Sequence, residues 1–202
     1  MNVKELIKLD IPVILASASA RRRQLLSFLN IDFKVEIADI DENISLDLPP
    51  EEYCKQLAFS KAKIVALHHT EATLIIGADT IVYLNGEIIN KPSDREEAYS
   101  ILSQLSGNTH KVYTGLALIN SVTMDSIVDY QVSDVTFRKL SDKEIWAYID
   151  SGSPMDKAGA YGIQDDFGAV FVQDIRGCYY NIVGLPLQLL YSNLVTFIEK
   201  YL

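Results

Sequence analysis

Cysteine is scarce in this chain: Cys54 and Cys178 are the only two, and they lie far apart. Neither has the closely spaced partner of a zinc site or a redox pair, so both are expected to be free thiols in a reducing cytoplasm. Positive charge is also in short supply, with 18 lysines and arginines against 27 acidic residues and a formal net charge of −9. That balance argues against a general binder of nucleic acid or of acidic membranes, whose footprint is basic. No apolar run reaches the roughly 20 residues of a membrane span. Met1–Asp10 lacks the apolar segment of a secretory leader. Internal repeats, low-complexity tracts and interdomain linkers are missing as well. What is there is a chain of 202 residues, 49% hydrophobic, able to bury a sizeable core as one domain or two closely packed lobes. It is expected to be a soluble, cytoplasmic protein.

Against this acidic background, Ser17-Ala18-Ser19-Ala20-Arg21-Arg22-Arg23 is conspicuous. Ile11–Ala16 reads as a short buried strand before it, and Leu25, Leu26 and Leu29 carry a helical period after it. Ser19 is the natural N-cap. The arginines then fall in the first turn, where the helix dipole disfavours cations by up to about 1 kcal/mol each. An anion resolves the conflict, because the backbone N–H groups, the Ser17 and Ser19 hydroxyls and the guanidinium groups would converge on it. On this reading, Arg22→Ala should leave the ligand-free protein as stable as before or more so.

Further along, Phe33, Val35 and Ile37 alternate with Lys34 and Glu36 as in a half-buried strand. The acidic loop that follows, with Asp39, Asp41 and Glu42, reads equally as a solvated turn or as ligands for a divalent cation. Pro50 opens a helix running to about His69, with an apolar stripe of Tyr53, Leu57, Ile64 and Leu67. Lys61 projects from that stripe, either snorkelling or reaching toward phosphate. His68 and His69 read as an exposed, frayed helix end.

The strand Thr73–Leu84 is the most apolar in the sequence, and Asn85-Gly86 is a type I′ turn signal leading into Glu87-Ile88-Ile89. Asp79 interrupts the strand, and burying an unpaired carboxylate is costly. It is read as an aspartate exposed in a cleft with a tunable pKa. Gly77 marks a bulge or a close backbone approach, and Lys91-Pro92 places a cation nearby. Ser93–Glu96 reads as a capping box for a helix ending at Gly107, and Ser141–Glu144 as another for a helix ending at Gly152. Strands are expected over 111–119 and 127–137. The segment 154–164, which contains Lys157, Gly159, Gly162 and Gln164, suits a ligand loop but taken alone reads as well as a plain surface loop. A hairpin is expected from Phe167–Ile175 and Cys178–Val183, then a last helix on Leu187, Leu190, Tyr191, Leu194 and Ile198.

Five of these stretches together resemble the Maf family of nucleoside triphosphate pyrophosphatases: Leu15–Arg22, Gly77–Val82, Asn90-Lys91-Pro92, Asp156–Gln164 and Val183–Pro186. They follow the family's order and approximate spacing along nearly the whole chain. Ala20 departs from the pattern, since the family usually has proline there, which would pre-set the first helical turn. The resemblance implies a single α/β domain over residues 1–202, with an elongated, two-lobed, mixed twisted sheet and a central cleft. The implied fold is similar to that of inosine-triphosphate pyrophosphatases. It implies hydrolysis of a nucleoside triphosphate to the monophosphate and pyrophosphate, assisted by Mg, Mn or Co, and a possible homodimer. By resemblance, Asp79 is the proton acceptor, Arg21, Thr80 and Gln164 tune substrate choice, Ser17, Arg22, Lys61, Lys91 and Lys157 line the phosphates, and Glu42 holds metal.

The segment Ala160–Gln164 resembles the branch acting on dTTP and UTP, and not the branch acting on 7-methyl-GTP. A side-chain amide offers one donor and one acceptor, matching O4 and N3–H of uracil. Because an amide can flip, Gln164 alone leaves CTP open. The alternatives are a 7-methyl-GTP pyrophosphatase and a non-catalytic nucleotide-binding regulator of cell division. The latter would have no need of Asp79.

Overall fold

A computed structural model describes residues 3–38, 48–165 and 167–202. The chain begins with α1 (Val3–Ile7), β1 (Val13–Ala16), α2 (Ala20–Ser27), β2 (Lys34–Glu36), α3 (Pro50–Ala66), β3 (Leu74–Leu84), β4 (Glu87–Ile89) and α4 (Arg95–Leu105). It continues through β5 (Thr109–Asn120), β6 (Ser126–Phe137), α5 (Asp142–Asp150), β7 (Val172–Arg176), α6 (Tyr179–Val183) and α7 (Leu187–Tyr201). Short 3₁₀ turns lie at Ser153–Asp156, Ala158–Ala160 and Gly168–Phe171. Among the described residues the strands form one mixed sheet in the order β2-β1-β3-β5-β6-β7, with β4 paired to β3. β1 runs parallel to β2 and β3, whereas the β3–β4 and β6–β7 pairs are antiparallel. No helix among the described residues is long and apolar enough to cross a membrane.

Two compact units are built from this chain: one holds the sequence up to Asp79 with Thr114–Gln131 and Gly184–Leu202, the other Thr80–Tyr113 and Val132–Val183. In the first, α3 lays Ala58, Ala62 and Ala66 against Ile14, Ile75, Ala117 and Ile119. Small residues on both sides bring helix and sheet backbones together. A Cβ on Gly77 would lie 2.3 Å from the Ala58 carbonyl oxygen, and one on Gly115 2.2 Å from that of Cys54. This contact turns the helix away from the expected stripe. Cys54, Ala58, Lys61 and Ala62 face inward with Tyr53 and Leu57, while Leu67 is exposed. Nor is His69 a frayed end, since its Nε2 lies 3.0 Å from Glu36 Oε2. β2 forms as its alternation suggests, but Val35 and, just past the strand's end, Ile37 are exposed and not half-buried.

The second unit has its own core, in which Phe137 meets the rings of His110, Tyr161 and Phe171 edge-on. The Asn85-Gly86 turn has both residues at positive φ, 53° and 93°, as a type I′ hairpin requires. Helix α4 is capped one residue later than expected. Asp94 accepts from the Glu97 N–H, and the Glu97 carboxylate reaches back to Ser93. The capping box at Ser141 and Glu144 is present. The expected second hairpin strand is instead helix α6. β7 pairs with β6, and the buried Asn181 amide donates to the Val112 carbonyl and to Ser133 Oγ, so tertiary hydrogen bonds override the strand propensity of Tyr179-Tyr180.

Candidate active site

In the first unit the loop from β1 to α2 is held by its own serines. Ser17 Oγ accepts from the Ser19 N–H at 3.2 Å and from Arg22 Nη1 at 3.3 Å, and Ser19 Oγ accepts from the Arg22 N–H at 3.4 Å. Ser19 is the N-cap, as its position before the leucine period indicates. The Arg22 guanidinium also donates from Nε to the Gly184 carbonyl at 2.9 Å. The cation opposed to the dipole is therefore partnered by a carbonyl at the head of α7. Residues Ser17, Ser19, Arg21 and Arg22 are all brought to the first turn of α2, with Arg21 half-buried.

Asp79 and Lys61 meet in the same unit. The Lys61 ammonium lies 2.6 Å from Asp79 Oδ1, and the two side chains are 9% and 10% exposed. This corrects the expectation of an exposed Asp79 and the snorkelling reading of Lys61, since both side chains are buried against each other. A buried carboxylate is costly alone, and the lysine on the facing helix is what compensates it. Burial and the nearby Asp79 charge push the Cys54 thiol up to about 12. Cys54 is thus an inert core thiol.

In the second unit Thr80 is half-buried in β3 and Lys91 is exposed just after β4. Lys157 is buried and bonded within its own loop. Its ammonium donates to the Ser153 carbonyl at 2.5 Å and to Asp156 Oδ1 at 2.7 Å, and pairs with Asp165 Oδ2 at 3.1 Å. Gln164 is exposed, and its Nε2 donates to Asp165 Oδ1 at 2.8 Å. Asp165 also accepts from Ser153 Oγ at 2.6 Å and from the Tyr148 hydroxyl at 3.2 Å. Burial works against ionisation of Asp165, but the Ser153 hydroxyl and the Lys157 ammonium together hold its carboxyl below the usual range.

Glu42 and the acidic loop around it lie outside the described residues. Among the described residues no three His, Cys, Asp or Glu side chains come together as a metal cage. The donor at hand, the Asp79 carboxylate, is a hard oxygen. That suits a cation such as Mg²⁺, which keeps its waters and takes one or two carboxylates beside substrate phosphates. Three partners were not singled out from the sequence. The Gly184 carbonyl was legible only as the residue before a helix, and Asp165 and Ser153 only as polar loop residues.

Residues 12–197 match the Maf-like protein family. A protein of Desulforamulus reducens named dTTP/UTP pyrophosphatase is 46% identical over 176 residues, 87% of this chain and 91% of its own. One of the same name from Alkaliphilus oremlandii is 50% identical over 175 residues, 87% of this chain and 90% of its own. Among solved structures, the Ham1 protein of Staphylococcus aureus aligns with 62% of this chain and 71% of its own, at 14% identity and a TM-score of 0.43. Matched over nearly its whole length, with relatives near half identity, this chain belongs to the Maf-like protein family.

Proposed function

We propose that this protein is a hydrolase that splits pyrimidine nucleoside triphosphates, dTTP and UTP foremost, into the monophosphate and pyrophosphate in the cytoplasm. The names of its relatives support the substrate class. The observation that carries the chemistry is the Asp79 carboxylate, kept in an apolar strand by one short contact with Lys61. A purely structural interior would be served as well by an uncharged pair.

In this reading Ser17, Ser19, Arg21 and Arg22 receive the phosphates at the start of α2, with Arg22 aimed by Gly184 and Ser17. The Lys61 ammonium holds Asp79 Oδ1 at 2.6 Å, and the triphosphate offers that ammonium a second set of anionic oxygens. Asp79 then takes a proton from water as its oxygen bonds to the α-phosphorus. The bond from that phosphorus to the α–β bridging oxygen breaks, and pyrophosphate leaves with the electron pair. The arginines and lysines stabilise the charge developing on the leaving group. A divalent cation would supply further neutralisation of the phosphates when bound, and by the family resemblance Glu42 would help to hold it. Thr80 and Gln164 read the base.

The test is pyrophosphate release, with Mg²⁺ or Mn²⁺, from UTP, dTTP, CTP, GTP and 7-methyl-GTP side by side. UTP and dTTP should show the highest kcat/KM. A preference for 7-methyl-GTP, or nucleotide binding with no release at all, would overturn the proposal.

A further inference from the structure

The base-reading residue Gln164 carries an ambiguity of its own. A free amide can present either its carbonyl oxygen or its NH₂ to a ligand, and so accept either uracil or cytosine in one pose. In this protein the amide is not free. Nε2 donates to Asp165 Oδ1 at 2.8 Å, and an ionised carboxylate has nothing to donate. Turning the amide over would set two acceptor oxygens against each other and break that bond.

Asp165 is itself fixed. Its other oxygen, Oδ2, accepts from Ser153 Oγ at 2.6 Å and the Tyr148 hydroxyl at 3.2 Å, and pairs with the Lys157 ammonium at 3.1 Å. Tyr148 is anchored in turn by the Gly162 N–H at 3.0 Å, and the Asp165 N–H closes the turn on the Gly162 carbonyl at 3.0 Å. The arrangement needs glycine at 162. A Cβ there would lie 2.4 Å from Asp165 Oδ2 and 2.8 Å from Gln164 Nε2.

We infer that Asp165 is a specificity-determining positioning residue: by holding the Gln164 NH₂, it commits that side chain to presenting its carbonyl oxygen to the nucleobase. Bases with a ring N–H at that edge, such as uracil and thymine, then meet an acceptor. Cytosine in the same pose brings a ring-nitrogen lone pair against it. The inference rests on the reading above that Gln164 contacts the base.

The experiment compares UTP with CTP as a ratio of kcat/KM, measured on the same preparation so that the folded fraction cancels. The proteins are wild type, Asp165→Asn, Gln164→Ala and the double variant. An asparagine at 165 offers either a donor or an acceptor, so Gln164 is released to turn. Asp165→Asn should lower the UTP:CTP ratio roughly tenfold or more, with CTP turnover maintained or raised. Gln164→Ala should give a similarly low ratio, and adding Asp165→Asn to it should change nothing further. The inference is overturned if Asp165→Asn slows both substrates equally, if it still lowers the ratio without Gln164, or if the wild-type ratio is near one. Dissociation constants for the α,β-methylene analogues of UTP and CTP should show the same order of preference without turnover. A wild type that binds selectively but releases no pyrophosphate would sink the proposed reaction and leave this inference standing.

Discussion

A lysine and an aspartate 2.6 Å apart, each about nine-tenths buried, are worth more to each other than to the fold as a whole. Removing one partner leaves an uncompensated charge in the interior. Lys61→Met is therefore expected to destabilise the protein by about 3–5 kcal/mol, read from urea unfolding at pH 7. A loss under 1 kcal/mol would mean that the pair does not persist in solution. Asp79→Asn keeps an acceptor for Lys61 but leaves the buried ammonium without a counter-charge, so it too should lower stability, by less than Lys61→Met. In the fraction that remains folded, nucleotide binding should be retained while kcat falls by about two or more orders of magnitude, the scale of a lost general base. Near-normal turnover in the folded variant would remove Asp79 from that role. Both residues were visible in the sequence as charges on apolar faces. That each is the other's partner was not, because the contact depends on how closely α3 approaches β3. That distance is set by Ala58, Ala62 and Gly77, three residues that carry no chemistry of their own.

At the level of elements, the first turn of α2 shows how a local rule can be answered from far along the chain. Arginines against the dipole predict that Arg22→Ala relieves a conflict. The Nε bond to the Gly184 carbonyl predicts the opposite, because a charge-assisted tether between the β1–α2 loop and the head of α7 is lost. The expected cost is about 1–2 kcal/mol, a fall in Tm of a few degrees, together with weaker triphosphate binding. An unchanged or raised Tm in the ligand-free variant would restore the dipole argument. Helix α3 makes a second case. Gly77→Ala puts a methyl group 2.3 Å from the Ala58 carbonyl oxygen, so it should cost at least the ~1–3 kcal/mol of an overpacked core. Differential scanning calorimetry checks both. The elements with local signals, such as the Asn85-Gly86 hairpin and the Ser141 capping box, were legible in advance. The 178–183 segment was not, because its helix answers to Val112 and Ser133 on other strands.

For the molecule as a whole, one buried imidazole sets an acid limit. His110 is 1% exposed, and its Nε2 lies 2.8 Å from the Tyr161 hydroxyl. Burial pushes its pKa down from 6.5 to about 4. The unfolded chain thus binds a proton that the folded state refuses between these values, and stability falls as pH drops through that window. The full linkage is about 3 kcal/mol. Urea midpoints should decline between pH 6.5 and 4, and the His110 ring proton should show no titration by NMR above about pH 5. A His110 that titrates near 6.5 would contradict this. Above these sits the claim that the whole chain is a pyrophosphatase acting at the α-phosphorus. The most direct measurement is hydrolysis of UTP in ¹⁸O-labelled water, with the products separated and weighed by mass spectrometry. The account predicts UMP carrying one ¹⁸O and unlabelled pyrophosphate, formed by wild type and nearly abolished in Asp79→Asn. Label in the pyrophosphate, release of orthophosphate and UDP, or equal rates in the two proteins would contradict it.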